Sequence, residues 1–280
     1  MGSAMAKELV AAGYTVHLWN RNKQIADDLA KTFPAGHALS HESVKDALIP
    51  SEIAICVFAN GQVTSSVLLE DTKTLDSLEG KLTIVDMGTS GVETAHFLQK
   101  SLKSRSIAFV DAPVSGSVAT IAAHQLLVMA SGDEEDVKKI EPVFNAFAKK
   151  VLYLGEAGSG QAMKLAVNLI VHTLSAGISE ALALACANGI SSSTAYDVFE
   201  ESVVAAPFVK YKRGAFLDPS SAVAMRIDTS AKDLSLIVGL GDSSQLALGV
   251  AGAVRDLYER AETAGYGSSD MAALFRYLQG

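Results

Sequence analysis

Strand-like and helix-like segments alternate along the first 154 residues of this chain, and this alternation constrains the fold more than any other feature. Apolar runs typical of strands lie at residues 15–19, 52–58, 82–86, 107–111, 126–131 and 151–154. Segments typical of helices lie at residues 3–12, 23–31, 92–104 and 134–148, with a further helix expected from residue 62. Such alternation predicts a mainly parallel sheet with helices on both faces.

Strand signals stop after residue 158. Residues 160–187 are mostly Ala, Leu, Val and Ile, which predicts one helix of roughly 28 residues, long enough to join two domains. Further helices are expected at residues 192–202, 207–216, 228–240, 250–264 and 269–278. We therefore expect an α/β protein with a parallel-sheet domain over residues 1–157, an inter-domain helix over 158–188 and an all-helical domain over 189–280.

Composition excludes several classes of protein. A net charge of −8 argues against a nucleic-acid partner. Cys56 and Cys186 lie in apolar runs and no zinc-site spacing occurs, so we expect reduced thiols, no bound metal and a cytoplasmic location. The most apolar segment, residues 165–178, contains Asn168 and His172 and is shorter than a membrane span requires. We expect no membrane-spanning segment and no signal peptide.

Small and polar residues follow four of the predicted strands. They are Asn20 and Arg21, Ala59 and Asn60, Gly88 and Thr89, and Ser115 and Gly116. Ligands of parallel sheets bind beyond the carboxyl ends of the strands. The binding site is therefore expected among these residues.

Four segments resemble, in order, the motifs of one enzyme family. Residues 1–6 (MGSAMA) are similar to the end of a G-x-G-x-M-G-x-x-M-A fingerprint, and residues 111–116 (DAPVSG) to a substrate-binding D-A-P-V-S-G. Residues 158–164 (GSGQAMK) with Asn168 resemble a catalytic G-x-G-x-x-x-K-x-x-N-N, and residues 232–234 resemble a K-D-L motif. The chain therefore resembles the β-hydroxyacid dehydrogenase family, whose best-known members act on 3-hydroxyisobutyrate and tartronate semialdehyde.

This resemblance implies a Rossmann-type dinucleotide-binding domain, in which a central first strand delivers a glycine-rich turn to the start of a helix. Met1 and Gly2 would be the end of that turn, since the chain opens on a helix-like segment. An ordinary N-terminal helix is the alternative. On the family hypothesis, we expect that roughly ten residues upstream of Met1 are missing from this sequence.

The resemblance also implies the catalytic residues. Lys164 would be the general acid in carbonyl reduction and the general base in alcohol oxidation. Asn168, one helical turn further, would hold the substrate oxygen or orient the lysine, although Val167 replaces a second asparagine. His172 continues this polar stripe, and we interpret it as a packed helix histidine.

Substrate binding is implied for Ser115 and Gly116 as well as for Lys164 and Asn168. The Ser115 hydroxyl and the Gly116 N–H would bind a substrate carboxylate. Ser117, Ile121 and His124 replace smaller family residues and predict a reshaped pocket.

The implied cofactor-binding residues are Met1, Gly2, Asn20, Arg21, Ala59, Asn60, Thr89 and Lys232. Arg21 suits the 2′-phosphate of NADP, so NADP(H) is expected over NAD(H). For Ala59, Asn60 and Thr89 an ordinary loop role is equally open. For Lys232 the alternative is a surface pair with Asp233.

The expected function is NADP(H)-dependent interconversion of a small β-hydroxyacid and its semialdehyde or keto acid. An imine reductase and a non-catalytic, oligomeric dinucleotide-binding protein are the alternatives. We expect a homodimer or homotetramer formed through the helical domain, which is similar to the C-terminal domain of 6-phosphogluconate dehydrogenase.

Overall fold

A computed structural model describes residues 1–280, which form two compact units, Met1–Lys164 and Leu165–Gly280. The first unit contains α1 (Gly2–Ala11), β1 (Val16–Leu18), α2 (Lys23–Ala30), β2 (Ala38–Ser40), α3 (Val44–Leu48), β3 (Ile53–Cys56), α4 (Gly61–Leu69), α5 (Thr72–Ser77), β4 (Thr83–Asp86), α6 (Val92–Lys103), β5 (Ala108–Asp111), β6 (Val114–Ser115), α7 (Val118–Ala122), β7 (Leu126–Gly132), α8 (Glu134–Phe144) and β8 (Ala148–Tyr153). The expected Rossmann-type α/β class is confirmed.

The strands of the first unit form two sheets. The larger sheet has the order β3-β4-β5-β7-β6, with β8 paired to the other side of β7. Strands β3, β4 and β5 are parallel, whereas β7 runs antiparallel to β5 and β6 and parallel to β8. The smaller sheet consists of β1 and β2 in parallel.

Apolar helix faces cover both sides of the larger sheet. Met5 and Leu9 of α1 pack in the same core as Val85 and Val110, two paired residues at the centre of the sheet. On α6, Ala95, Leu98 and Leu102 recur at helical spacing and pack with Ile84 and Phe109 in a second core. Because helices cover both faces, β4 is buried along its whole length.

A groove separates the two sheets. It has a volume of about 510 Å³ and is lined by β1 on one side and β3 on the other. In the common doubly wound order, the first strand lies between the second and the fourth. Counted in that order, β1 and β3 of this chain correspond to the second and fourth strands, with the groove between them. The first element here is α1, with Met1 before it, in agreement with the helix expected from the sequence.

The second unit is helical. Helix α9 (Ser159–Ala187) enters it and is followed by α10 (Ser192–Glu201), α11 (Pro207–Leu217), α12 (Ile227–Ser243), α13 (Gly249–Ala261), a π-helical turn (Glu262–Tyr266), a 3-10 turn (Met271–Ala273) and α14 (Leu274–Gln279). One core joins α9, α12 and α13, with Leu234 and Tyr258 fully buried. A second core lies around Tyr196 and Phe216. The buried Lys212 ammonium lies 2.7 Å from Asp270 Oδ1.

Helix α9 is longer than the segment judged from the sequence to be too short for a membrane. Its 29 residues, with a mean hydropathy of 1.6 over the most apolar window, would be sufficient to cross a membrane by length and composition. About a third of that window (33 %) is buried inside the protein. A core helix of a soluble protein meets the same criterion, so this length alone does not identify a membrane segment.

Several boundaries differ from the sequence expectations. Helix α8 ends at Phe144 rather than 148, because turn residues 145–147 lead into β8, which begins at Ala148 and pairs with β7. Helix α13 ends at Ala261, and the left-handed backbone of Gly265 (φ +94°) interrupts the following turn. The short elements β2, α3, α5, β6 and α7 were not expected.

Candidate active site

The start of α1 and the carboxyl ends of β1, β3 and β4 lie at one edge of the first unit. A Cβ built on Gly2 would lie 3.7 Å from Val57, which follows β3. The rings of Trp19 and Phe58, which follow β1 and β3, are 6.3 Å apart. A Cβ on Gly88, which follows β4, would lie 3.1 Å from the Phe58 carbonyl oxygen. The structure therefore brings together three of the four strand ends that the sequence singled out, those of β1, β3 and β4.

The amino-terminal end of α1 fits the phosphate groups of a dinucleotide. The Met1 carbonyl accepts hydrogen bonds from the N–H groups of Ala4 and Met5. The N–H groups of Gly2 and Ser3 come before these first helical hydrogen bonds and so have no acceptor within the helix. Both residues are exposed, and the first turn contains no acidic side chain. A helix end of this kind attracts anions.

Asn20 and Arg21 form the turn between β1 and α2. Asn20 Oδ1 accepts from the Asn22 N–H at 2.9 Å, which fixes the turn and occupies one acceptor of Asn20. Arg21 is exposed, and the ion pairs of this region use Lys23 with Asp27 and Glu42 instead. The guanidinium of Arg21 is therefore available to an anion.

Ala59 and Asn60 follow β3, and Thr89 follows β4. Asn60 caps α4, because its Oδ1 accepts from the Val63 N–H at 2.9 Å. This cap accounts for Asn60 without a ligand and supports the loop role left open by the sequence. Ala59 is exposed and Thr89 is half-buried at the strand-end edge. Their assignment to the cofactor stays a prediction.

A buried carboxylate joins β5 to the start of α9. The Asp111 side chain accepts from the Ser131 hydroxyl at 2.9 Å, the Gly158 N–H at 3.2 Å, and the N–H and Nε2 of Gln161 at 3.0 and 2.9 Å. Burial raises the pKa of Asp111, and these donated hydrogen bonds oppose the increase. Four donors on one carboxylate fix the first turn of α9 to the end of β5.

Gln161 extends this connection to the loop after β4. Its Oε1 accepts from the N–H groups of Ser90 and Gly91, both at 3.0 Å, and its Nε2 donates to the Gly88 carbonyl at 3.0 Å. Sequence reasoning did not single out Gln161 or Asp111, although both lie within the quoted motifs. We name Asp111, Ser131 and Gln161 the Asp111 network.

Gly160 is needed for this close approach. An added Cβ would lie 2.6 Å from the Met129 carbonyl oxygen and 3.0 Å from Asp111 Oδ2. The glycine therefore lets the helix backbone contact the sheet, and its N–H donates to Ser131 Oγ at 3.0 Å. Lys164, one turn beyond, is half-buried.

Ser115 and Gly116 lie at the end of β6. Ser115 is half-buried. Gly116 has φ +145°, and an added Cβ would lie 2.2 Å from Thr120 Oγ1, so only glycine fits. Because the Ser117 N–H already donates to Thr120 Oγ1 at 2.7 Å, the Ser115 hydroxyl and the Gly116 N–H are the groups that could bind a carboxylate.

Two of the three residues expected to reshape the pocket, Ile121 and His124, lie on or just after α7. Ile121 is fully buried in the core with Met5 and Leu126, because α7 turns its apolar face towards α1. His124 is exposed and lies 3.2 Å from Glu8 on α1. The expectation that Ser117, Ile121 and His124 reshape the substrate pocket stays a prediction.

In the second unit, Asp233 organises the polar face of α9. Asn168 Nδ2 donates to Asp233 Oδ2 at 2.7 Å, and the Lys232 ammonium lies 2.8 Å from Oδ1. Asp233 is only 1 % exposed, so the alternative of a surface Lys-Asp pair does not hold. Burial alone would raise the pKa of Asp233, but His172 and Lys232 hold it below its ordinary value. We name Asn168, His172, Lys232 and Asp233 the Asp233 network.

His172 is completely buried beside this carboxylate. Its Nε2 is 3.7 Å from Asp233 Oδ2, too far for a hydrogen bond, and neither ring nitrogen has a hydrogen-bond partner. The ring packs edge-on against Tyr258 at 6.0 Å. These contacts agree with the interpretation of a packed helix histidine.

Comparisons with known proteins agree with this architecture. Residues 1–155 match the family described as the NAD binding domain of 6-phosphogluconate dehydrogenase. Residues 158–278 match the family described as NAD-binding of NADP-dependent 3-hydroxyisobutyrate dehydrogenase. Glyoxylate/succinic semialdehyde reductase 1 of Arabidopsis thaliana is 30 % identical over 281 residues, covering 100 % of this chain and 95 % of the relative.

Two solved structures share the fold. The 3-hydroxyisobutyrate dehydrogenase of Mycobacterium tuberculosis, solved with L-serine, has a TM-score of 0.86 at 24 % identity and covers 100 % of this chain and 96 % of its own. An imine reductase from Pseudomonas sp. has a TM-score of 0.65 at 23 % identity, with the same coverage.

The fold and the two family matches define a class of NAD(P)-dependent oxidoreductases with a Rossmann-type domain and a helical domain. Within that class, the chain belongs to the β-hydroxyacid dehydrogenase family. The resemblance identified from the motifs is thereby confirmed.

Proposed function

We propose that this protein interconverts a small β-hydroxyacid and its semialdehyde or keto acid with NADP(H), and that Lys164 transfers the proton. The observation that carries this proposal is the position of Lys164, one turn after a helix start that the Asp111 network ties to the ends of β4 and β5. Such anchoring provides the fixed geometry that proton transfer needs.

The bound dinucleotide supplies the hydride in reduction and accepts it in oxidation. Negative charge develops on the carbonyl oxygen during reduction, and the Lys164 ammonium donates a proton there. In oxidation the neutral amine removes the hydroxyl proton. Asn168 holds the same oxygen or orients the lysine, while Asp233 accepts one of its amide hydrogens. Ser115 and Gly116 bind the substrate carboxylate.

The test compares Lys164→Ala with the wild type on glyoxylate, succinic semialdehyde, methylmalonate semialdehyde and cyclic imines. We expect kcat for the preferred aldehyde or keto acid to fall about 10²- to 10⁴-fold. Dinucleotide affinity, measured by nicotinamide fluorescence, should remain unchanged. Lys210→Ala, which removes an exposed lysine on α11, is the matched control.

Three outcomes would contradict this proposal. Full activity in Lys164→Ala would exclude the lysine as the proton donor. Turnover of imines alone would identify an imine reductase, an activity named for the Pseudomonas sp. protein that shares this fold. Dinucleotide binding without turnover of any compound would favour a non-catalytic binding protein.

A preference for NADP(H) is supported by Arg21, an exposed arginine beyond β1 with no acidic partner among the neighbouring ion pairs. A charged hydrogen bond to the 2′-phosphate contributes about 1.5–3 kcal/mol. Arg21→Ala should therefore raise KM for NADPH at least about tenfold and leave KM for NADH unchanged. Equal use of both cofactors by the wild type would refute the preference. Arg260→Ala is the control.

A homodimer or homotetramer is supported by the exposed side of α9. Ile170 and Leu184 are 68 % and 69 % exposed, and Gly177 lies midway between them on the same face. Apolar residues at seven-residue spacing are typical of helix pairing. Light scattering should give at least a dimer, and the double variant Ile170→Glu, Leu184→Glu should be monomeric. We also propose a cytoplasmic location, which cell fractionation tests.

A further inference from the structure

The two oxygens of the Asp233 carboxylate have different partners. Oδ1 lies 2.8 Å from the Lys232 ammonium, whereas Oδ2 accepts from Asn168 Nδ2 at 2.7 Å and lies 3.7 Å from His172 Nε2. The family resemblance assigns Lys232 to the cofactor and Asn168 to the substrate. One carboxylate therefore serves the two ligands through separate oxygens, and His172 lies on the Asn168 side.

Helical spacing brings Asn168 and His172 to the same oxygen. The two residues are four positions apart on α9, so their side chains lie one above the other on one face of the helix, where both reach Asp233 of α12. Tyr258 of α13 packs edge-on against the imidazole ring. Because His172 and Tyr258 are both completely buried, bulk water does not reach this side of the carboxylate.

The charge on Asp233 decides which way the Asn168 amide faces. An ionised carboxylate only accepts hydrogen bonds, so the amide must present its NH2 group to Oδ2, as it does in this structure. A proton on the carboxylate would bind at Oδ2, because Oδ1 faces the Lys232 ammonium, and the amide could then turn its oxygen towards Asp233. Burial favours this protonated form by raising the pKa of the carboxyl, and His172 has the largest effect in the opposite direction.

We propose that His172 is a positioning residue for the reaction: its ring keeps Oδ2 of Asp233 unprotonated, which holds the Asn168 amide in the orientation that the reacting oxygen needs. The neighbouring anion favours the tautomer with a proton on Nε2, since a lone pair on that nitrogen would be repelled. With its NH2 group at Asp233, Asn168 keeps a second amide hydrogen for the reacting oxygen. That Asn168 contacts this oxygen is part of the proposed function, on which the role of His172 rests.

The experiment compares the wild type with His172→Leu and His172→Gln. Leucine removes the polar ring edge, whereas glutamine can place an amide N–H where Nε2 lies. We expect kcat to fall about tenfold in His172→Leu and to recover most of that loss in His172→Gln. Dinucleotide affinity, measured by nicotinamide fluorescence, should change less than about twofold in both, because Lys232 contacts the other oxygen. Ser179→Ala, which removes a buried hydroxyl two turns further along α9, is the control and should match the wild type.

A second measurement needs neither substrate nor turnover. In isotope-labelled protein, the side-chain amide protons of Asn168 are identified by NMR as the signals that disappear in Asn168→Asp. A hydrogen bond to a carboxylate shifts one of the two protons downfield. The separation of the two signals should therefore be large in the wild type and in His172→Gln, and it should decrease in His172→Leu.

Equal kcat in the wild type and His172→Leu would overturn the proposal. Equal losses in the leucine and glutamine variants would also overturn it, because the ring would then act by packing alone. A loss of dinucleotide affinity that matches the loss in kcat would place the effect at Lys232 and refute a role at Asn168. Unchanged Asn168 amide signals in His172→Leu would refute it whatever the kinetics show. Full activity in Lys164→Ala would instead contradict the proposed function, since the amide signals report on His172 without turnover.

Discussion

Asp111 in the first unit and Asp233 in the second are both almost completely buried, at 0 % and 1 % exposure, but their partners differ in charge. Asp111 accepts hydrogen bonds only from neutral donors: one hydroxyl, one amide side chain and two backbone N–H groups. Asp233 faces the Lys232 ammonium, the His172 ring and one amide.

This difference separates two uses of a buried carboxylate. Burial raises the pKa of Asp111, whereas His172 and Lys232 hold the pKa of Asp233 below its usual value despite burial. Asp111 fixes backbone segments, since its donors lie on β7 and the start of α9. Asp233 holds side chains in place, namely Lys232 and Asn168, which the family resemblance assigns to cofactor and substrate.

The largest expected effect is on the Asp111 network. Asp111→Ala leaves four donors without an acceptor, so the free energy of unfolding should fall by about 3–5 kcal/mol. Urea denaturation measures this loss. Asp76→Ala, which removes an exposed carboxylate paired with Arg105, should cost less than about 1 kcal/mol. A similar small loss for Asp111→Ala would mean that its four hydrogen bonds do not stabilise the fold.

Asp233→Ala should cost less, about 1–3 kcal/mol, because half-buried Lys232 can regain water. Its main effect should be weaker dinucleotide binding, seen by fluorescence titration, since Lys232 loses the partner that orients it. Asp242→Ala, exposed near the end of the same helix, is the control. Unchanged affinity would show that Asp233 does not position Lys232 for the cofactor.

The two carboxylates should respond to pH in opposite directions. For Asp233, with a lowered folded pKa, the stabilisation is present above the unfolded pKa of about 4 and is lost as pH falls through the folded value. For Asp111, with a raised folded pKa, stability decreases as pH rises from about 4 towards that value. The unfolding free energies of the wild type, Asp233→Asn and Asp111→Asn are measured from pH 3 to 7. Plotted against pH, the difference between the wild type and Asp233→Asn should have the opposite slope to the difference between the wild type and Asp111→Asn.

The smallest effect should follow His172→Leu. Neither nitrogen of the ring is hydrogen-bonded, so an apolar side chain avoids their desolvation cost and stability should change by less than about 1 kcal/mol. The decrease in unfolding free energy at acid pH that is assigned to Asp233 should become less steep, because His172 helps to lower the pKa of Asp233. A loss above about 3 kcal/mol would show that the ring of His172 stabilises the Asp233 network.

Motifs near strand ends predicted most of the candidate site. Residues 111–116 and 158–164 were recognised from short patterns, and in the structure Asp111 of the first pattern binds Gly158 and Gln161 of the second. The partnership of Asp111 with Gln161 was not predictable, because 50 residues separate them and hydrogen bonding depends on the tertiary fold. The burial of Ile121 was not predictable for the same reason, since packing against α1 decides which way α7 faces.

The helices and longer strands followed from periodicity, but short elements did not. Strand β2 has three residues, too few to show alternation, and it is defined only by its pairing with β1. The helical pattern of α8 continues in sequence past Phe144, yet β8 starts at Ala148 because pairing with β7 outweighs local preference.

The division of the strands into two sheets also has a consequence for proteolysis. Since β1 and β2 share no ladder with the larger sheet, residues between α1 and β3 can open together at less cost than unfolding the whole unit. Trypsin in brief digests should therefore cut first after Arg21 or Lys31, both exposed in this segment. The same region would be the first target of a cellular protease.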